Sequence, residues 1–236
     1  VELIPNEKTF FWRGRYHNDL NTRTTLDTQL NVLTKFKPIV PDNFKDSSIV
    51  LLGNLDPNLQ GAVLDQMVKS KLVIMDTMNF WIESYRDKVD EVISRVDVLS
   101  INDEEARQLA KTQSLVESAQ KLQSMGPRHI IIKKGEHGAL LFSGKNIFYA
   151  PAIPLNEVFD PTGAGDSFIG GVAGYLSQCK RVSFKDMKAA IIVGSAIASF
   201  TVQKFGTESL EDLSYELLKQ RIEDLKSLTE FEINLT

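Results

Sequence analysis

The most distinctive stretch of the chain, residues 160–168, reads Asp-Pro-Thr-Gly-Ala-Gly-Asp-Ser-Phe and runs into a small-residue apolar segment. The proline and the glycines interrupt regular structure, and the apolar segment predicts a buried helix that begins inside the stretch. A helix N-terminus presents backbone N–H groups and the positive end of the helix dipole. Gly163, Ala164 and Gly165 therefore form a candidate anion site, whose natural occupant is a phosphate.

Asp166 is the candidate for acid–base chemistry in this stretch. An anion repels a neighbouring carboxylate, so this residue either caps the helix or takes part in a reaction. It can accept the proton of a hydroxyl that attacks a phosphoryl group held by the adjacent N–H groups, which makes it the candidate catalytic base. The alternative is that Asp160 and Asp166 are turn and cap residues and that the glycines only allow close helix packing. A short glycine motif by itself leaves that alternative open.

The full nine-residue string resembles the motif near the C-terminus of the ribokinase-like (PfkB) carbohydrate kinases. In that family the consensus Asp-Thr-x-Gly-Ala-Gly-Asp supplies an anion hole and a base, and here Pro161 and Thr162 occupy the two variable positions. The resemblance implies phosphoryl transfer from ATP to a hydroxyl of a sugar or sugar-like molecule. It also implies that Thr162 is among the residues that bind the nucleotide.

Asn102 and Glu105 follow a predicted strand at residues 96–101 and open a predicted helix. Asn102 is a good N-cap, and acidic residues in a first helical turn complement the helix dipole. Their order also matches the family's second motif, Asn-x-x-Glu, whose side chains bind Mg²⁺, usually through water. The resemblance therefore implies that Asn102 and Glu105 hold Mg²⁺, an ion that accepts an oxygen-only shell and keeps most of its waters.

Gly135 and Gly138 lie in a tight turn after a predicted strand at residues 129–134. The turn resembles the family's Gly-x-x-Gly nucleotide loop, although a plain hairpin turn would have the same appearance. Ser195 lies in a nearly all-apolar predicted helix, residues 189–202, at a place where many relatives carry Asn. The resemblance implies nucleotide contacts at all three residues.

Apolar runs typical of strands alternate with helical spacing along the chain, which indicates a parallel sheet covered by helices. Predicted strands include residues 48–52 and 72–76, with helical spacing at residues 59–68. Asp76 and Asn79 follow the C-terminal end of a strand, where open α/β sheets bind ligands, although each residue also suits a turn. The resemblance implies an α/β, ribokinase-like three-layer fold, with a mostly parallel central sheet, helices on both faces and a small β lid.

Residues 9–16 alternate partly between aromatic and polar side chains, which predicts a half-exposed strand, whereas residues 18–28 are polar and are predicted to be a loop. We assign residues 1–40 to the lid strands and their connection, and residues 41–236 to the kinase domain. In the family such a lid is often shared by two subunits, so a homodimer is possible. Relatives normally begin earlier, with a strand, a Gly-Gly pair and an Asp that hold the sugar. We find no such segment and expect the chain to match the later part of a family member.

Composition limits the other functional classes. The chain has 236 residues, 42% of them hydrophobic, a net charge of −4 and a pI near 5.5, so it lacks the basic surface expected for nucleic-acid binding. Cys179 is the only cysteine, which excludes an intrachain disulfide and suits the cytoplasm. No apolar run reaches the length of a membrane span, and no Gly-x-x-x-x-Gly-Lys-[Ser/Thr] string of a P-loop kinase occurs.

Together the motifs favour a kinase that uses ATP and Mg²⁺ to phosphorylate a hydroxyl of a small-molecule sugar. Two alternatives remain at this point. The substrate can be a nucleoside, because the family includes adenosine kinases, or the chain can be a nucleotide-binding fragment without catalytic activity.

Overall fold

The structure is a computed structural model that describes residues 3–18 and 23–234. Its strands, numbered along the chain, are β1 (Phe11–Tyr16), β2 (Arg23–Gln29), β3 (Ile49–Leu52), β4 (Leu72–Asp76), β5 (Val98–Asn102), β6 (His129–Lys133), β7 (Ala139–Ser143) and β8 (Asn146–Ala150). Its α-helices are α1 (Pro57–Leu64), α2 (Asn79–Ser84), α3 (Arg86–Ile93), α4 (Asp103–Ala110), α5 (Leu115–Ser124), α6 (Ala164–Ser177), α7 (Phe184–Thr201), α8 (Glu208–Glu211) and α9 (Tyr215–Ser227).

The central sheet has six strands in the order β3-β4-β5-β6-β7-β8. Strands β3 to β6 are parallel to one another, whereas β7 and β8 are each antiparallel to the preceding strand. All five residues of β4 are buried, as expected for a parallel strand that is covered on both faces. The predicted alternation of strands and helices is therefore present.

Each face of the sheet has its own hydrophobic core, which makes three layers. On one face, side chains from β3, β4, β5 and β6 pack against α2 to α5, with residues of α1 at the margin. On the other face, Ile74, Val98 and Ile131 of three neighbouring strands pack against α6 and α7. Helix α6, which begins in the distinctive motif, is thus placed across the parallel part of the sheet.

Helices α6 and α7 approach closely because glycines face each other where the helices meet. A Cβ added to Gly171 would lie 3.1 Å from the Cα of Gly194. A Cβ added to Gly194 would lie 2.6 Å from the carbonyl oxygen of Phe168, a backbone atom. The prediction that the apolar helix around residues 189–202 lies buried beside the motif helix agrees with this packing.

The lid is a two-stranded antiparallel sheet of β1 and β2, which is separate from the central sheet. The burial of β1 alternates between exposed and intermediate, as the sequence predicts. The prediction of a loop at residues 18–28 is wrong, because β2 begins at Arg23; residues 19–22 lie outside the described part. Polarity suggested a loop, but β-branched threonines suit a strand, and pairing with β1 decides the outcome.

The bounds of two helices differ by a few residues from those predicted from the sequence. Helix α1 ends at Leu64 rather than continuing to residue 68, and α7 begins at Phe184, where Ser183 caps it with Asp186 in a capping box. The division of the chain at residue 40 stays a prediction. Among the described residues, no helix has the length and apolar character needed to cross a membrane.

Candidate active site

The candidate site lies at the C-terminal edge of the parallel strands. Strands β4, β5 and β6 end at this edge with Asp76, Asn102 and Lys133. In the sheet register Asn102 pairs with Lys133, whereas Asp76 pairs with Ser100, two residues before the end of β5, so the three strands end close together. An open parallel sheet binds ligands at this edge, and here three polar or charged side chains converge on it.

The N-terminus of α6 has no side-chain cap. Its N-cap residue is Gly163, which adopts a left-handed backbone conformation with φ +84° and makes no side-chain capping bond. The N–H of Ala164 donates to the carbonyl of Pro161 at 3.2 Å, whereas among residues 3–18 and 23–234 the N–H of Gly165 has no hydrogen-bond acceptor. Such an N-terminus fits an anion, which the predicted role of residues 163–165 requires.

The turn before α6 is fixed by hydrogen bonds at both of its ends. The N–H of Thr162 donates to Oδ1 of Asp160 at 2.9 Å, an Asx turn inside the motif. The N–H groups of Phe159 and Asp160 donate to the carbonyl of Val202, immediately after α7. The motif is therefore held by the same helix that packs along α6.

Asp166 is the third residue of α6 and is exposed to solvent. A carboxylate in the first turn of a helix interacts favourably with the helix dipole. Its exposure leaves it accessible to a hydroxyl substrate, and its position places it one residue after the uncapped N–H of Gly165. The structure places Gly163, Ala164, Gly165 and Asp166 at the N-terminus of α6, and their roles as anion site and base stay predictions.

Lys133 forms the ion pair at this site. Its Nζ lies 3.0 Å from Oδ2 and 3.2 Å from Oδ1 of Asp76, and the Lys133 side chain is 18% exposed while that of Asp76 is 6% exposed. A Cβ added to Gly165 would lie 3.4 Å from Nζ of Lys133, so the ammonium group lies against the first turn of α6.

The ammonium group of Lys133 is surrounded by negative charge. Burial alone would lower the pKa of Lys133, but the carboxylates of Asp76, Glu105 and Asp166 outweigh that effect and raise the pKa above its ordinary value. Lys133 is therefore protonated at neutral pH. The site combines one fixed positive charge with three carboxylates beside the positive end of a helix.

Asn102 and Glu105 form a capping box at the start of α4. Oδ1 of Asn102 accepts from the N–H of Glu105, and Oε2 of Glu105 accepts from the N–H of Asn102, both at 2.8 Å. Glu105 is buried, with 3% of its surface exposed. The helix-cap interpretation is thus realised, and binding of Mg²⁺ by the same pair stays a prediction. Within the described residues, no group of three or more His, Cys, Asp or Glu side chains is arranged to hold a metal ion.

The remaining predicted nucleotide contacts lie apart from the turn in sequence and stay predictions. Gly135 begins a short 3₁₀ turn between β6 and β7, and Gly138 follows it with φ +77°. A Cβ on Gly138 would overlap the carbonyl of Ala150, so packing of the β7–β8 hairpin already requires this glycine. Ser195 is buried on α7.

Thr162 contacts the lid. Its Oγ1 donates to the hydroxyl oxygen of Tyr16, the last residue of β1, at 3.2 Å. The end of the first lid strand therefore lies beside the motif. Beyond α7, a cleft of about 350 Å³ is lined partly by Gln203 and Lys204.

Lys133 is the site residue that the sequence reasoning missed. The strand at residues 129–134 and the ligand-binding edge of the sheet were both predicted, but the rule was applied only to β4. In β6 the residues before Lys133 are apolar or buried, so a lysine at the last strand position is the signal that could have been used. Asp76, for which the sequence left open a turn or a role in the cleft, forms an ion pair with Lys133 at this edge of the sheet.

The chain is similar in sequence to known carbohydrate and nucleoside kinases. A family model described as pfkB family carbohydrate kinase matches residues 18–213. Among curated proteins, the chain is 29% identical over 197 residues to a cytidine kinase of Thermococcus kodakarensis, covering 78% of this chain and 69% of that protein. It is 26% identical over 174 residues to a nucleoside kinase of Methanocaldococcus jannaschii, covering 74% of this chain and 55% of that protein.

Solved structures agree on the fold. A ribokinase structure from Thermotoga maritima has a TM-score of 0.71 at 21% identity, covering 92% of this chain and 70% of that one. The nucleoside kinase structure from Methanocaldococcus jannaschii has a TM-score of 0.69 at 20% identity, covering 92% and 69%. The predicted ribokinase-like fold is therefore confirmed. In these four comparisons the matched region covers between 55% and 70% of the other protein's chain.

Proposed function

Because the chain belongs to the pfkB family of carbohydrate kinases, we propose that it transfers the γ-phosphoryl group of ATP to a hydroxyl of a sugar or nucleoside. The observation that carries the proposal is the uncapped glycine N-terminus of α6, with Asp166 in its first turn and a buried ammonium group against it. Family membership gives the class of reaction, and this geometry supports the roles proposed for these residues.

In the proposed reaction, the oxygen of the acceptor hydroxyl forms a bond to the γ-phosphorus. The bond from that phosphorus to the β,γ-bridging oxygen breaks, and ADP leaves with the electron pair. Asp166 accepts the proton of the hydroxyl, and the N–H groups at residues 163–166 stabilise the charge on the phosphoryl oxygens. Preorganised donors of this kind each supply about 3 to 4 kcal/mol of transition-state stabilisation in well-studied enzymes.

Asn102 and Glu105 are proposed to hold Mg²⁺. Their oxygens are of the type that Mg²⁺ accepts, but the capping box already uses Oδ1 of Asn102 and Oε2 of Glu105. Contact through water molecules fits these side chains better than direct ligation, since Mg²⁺ commonly keeps several waters. When bound, the ion neutralises negative charge on the phosphates.

Two acceptor classes are supported by the relatives. The curated relatives include a cytidine kinase, a nucleoside kinase and a ribokinase, so we propose a ribose-containing acceptor, either the sugar or a nucleoside. Gly135, Gly138, Thr162 and Ser195 are proposed to contact ATP.

The lid supports a further part of the proposal, a homodimer in the cytoplasm. A two-stranded sheet alone is marginally stable in water, and the lid exposes Phe11 by 45% and Leu26 by 46%. Pairing with a second copy would cover these apolar side chains. The single cysteine suits a reducing compartment.

The experiment that tests the function has two stages. Isothermal titration with a non-hydrolysable ATP analogue, with and without Mg²⁺, measures whether the phosphate site is formed. ADP release is then measured in a coupled assay with cytidine, adenosine, inosine, ribose and fructose as acceptors. Mg²⁺-dependent binding together with acceptor-dependent ADP release supports the proposal. Binding without turnover for any acceptor supports the alternative of an inactive nucleotide-binding protein.

A further inference from the structure

Lys133 occupies a position that packing alone does not explain. Helix α6 presents the positive end of its dipole to the site, and a cation at that end of a helix is disfavoured. The Lys133 ammonium nevertheless lies against Gly165, in the first turn of α6. Both carboxylate oxygens of Asp76 hold Nζ in this position, at 3.0 and 3.2 Å.

The charges around Lys133 show what the arrangement can bind. The ammonium group has three N–H donors, and both oxygens of Asp76 lie on one side of it. Nζ also lies close to Gly165, whose N–H has no acceptor among the described residues. An anion placed at the start of α6 would therefore meet backbone N–H groups and an ammonium donor together.

We propose that Lys133 is a catalytic residue that donates a hydrogen bond to the transferring phosphoryl group, and that Asp76 is the positioning residue that holds it there. The inference rests on the proposed phosphoryl transfer and adds a residue to that site. Lys133 remains protonated throughout, because the proton of the acceptor hydroxyl goes to Asp166. Gly165 leaves the ammonium group close to the backbone of α6, since even a Cβ at this position would lie 3.4 Å from Nζ.

The competing explanation is that Lys133 only neutralises the buried carboxylate of Asp76. A buried carboxylate that has lost its partner is destabilising, so loss of activity in a single Lys133 variant would not separate the two explanations. The double variant Asp76→Asn/Lys133→Met does separate them, because it removes the charge of both partners at once and does not leave the Asp76 carboxylate without its ammonium partner.

The experiment compares Lys133→Met, Asp76→Asn and the double variant with the wild-type 236-residue chain. Lys145→Met, which removes an exposed lysine at the β7–β8 turn, is the matched control. Three quantities are measured: thermal stability, the affinities for ADP and for a non-hydrolysable ATP analogue, and kcat with the best acceptor. We expect Lys133→Met to lower kcat at least about 100-fold, as removal of a single oxyanion donor does. We also expect it to weaken binding of the ATP analogue about tenfold while ADP affinity is kept.

The double variant decides the result. The proposal predicts that it regains the stability lost by Lys133→Met but regains neither kcat nor affinity for the ATP analogue. Recovery of kcat together with stability would overturn the proposal and make Lys133 a structural partner of Asp76. If wild-type protein binds the analogue but phosphorylates no acceptor, the proposed function fails, and the ratio of analogue to ADP affinity still tests Lys133. Equal ratios in wild type and Lys133→Met would overturn the inference by themselves, and a wild-type protein that binds neither nucleotide would overturn both.

Discussion

Gly194→Ala tests whether the close contact between α6 and α7 sets the position of the motif. The new Cβ would lie 2.6 Å from the carbonyl oxygen of Phe168, 2.9 Å from Cγ2 of Val172 and 3.2 Å from Cδ2 of Phe168. The nearest atom belongs to the backbone of α6 and cannot rotate away, so the helices must separate. Overpacking of this kind costs about 2 to 3 kcal/mol, and the higher helix propensity of Ala returns about 1 kcal/mol.

The net loss for Gly194→Ala is therefore about 1 to 2 kcal/mol, or about 2 to 8 °C in Tm for a chain of this size. Because Phe168 lies only two residues after Asp166, separation of the helices also displaces the first turn of α6, and kcat should fall. Urea unfolding and thermal unfolding measure the stability. Gly170→Ala is the matched control, since the same change within α6 meets nothing within 4 Å and should be neutral or stabilising. A Gly194→Ala protein as stable as Gly170→Ala would refute the packing argument.

Two further predictions concern stability. Gly163→Ala should lower the free energy of unfolding by about 1 to 2 kcal/mol, because Ala adopts the φ of +84° at this position only with strain. The nearest atom to the new Cβ, Cγ2 of Thr201, is 3.9 Å away, so no clash adds to that cost. Urea unfolding measures the change, and an unchanged midpoint would contradict the assigned conformation. Burial, and then the charge of Arg128, lowers the pKa of His129 from 6.5 to about 4, so the unfolded chain binds a proton that the folded chain excludes between these pH values. The free energy of unfolding should therefore fall by up to about 3 kcal/mol as the pH drops from 6.5 to 4. Denaturant titrations at several pH values measure this dependence, and His129→Gln should make it weaker. An unchanged pH dependence in the variant would assign the proton uptake to other groups.

The sequence allowed the central sheet and the motif helix to be predicted because their patterns are local. The strand at residues 72–76 is a continuous apolar run, and the structure has β4 at Leu72–Asp76. The start of α6 inside the motif follows from the proline and glycines that interrupt the chain there. For β2, the local signal was misleading, because a polar segment becomes a strand only through pairing with β1.

The site could be predicted where one segment contains it and not where several segments meet. Residues 163–166 are contiguous, so the turn and the candidate base were found together. Lys133 and Asp76 are 57 positions apart and pair only because β4 and β6 both flank β5 in the sheet. The contact between Thr162 and Tyr16 likewise joins residues 146 positions apart, and no local pattern contains it.

The central claim is that Asp166 is the base for phosphoryl transfer at the start of α6. The most direct test is Asp166→Asn, which keeps the shape of the side chain and removes its ability to accept a proton. Affinity for the ATP analogue is measured by titration, and turnover is measured by ADP release with the best acceptor. We expect nucleotide affinity to stay close to that of wild type while kcat falls by about 100-fold to 10,000-fold. Turnover equal to that of wild type would contradict the assignment of Asp166 as the base.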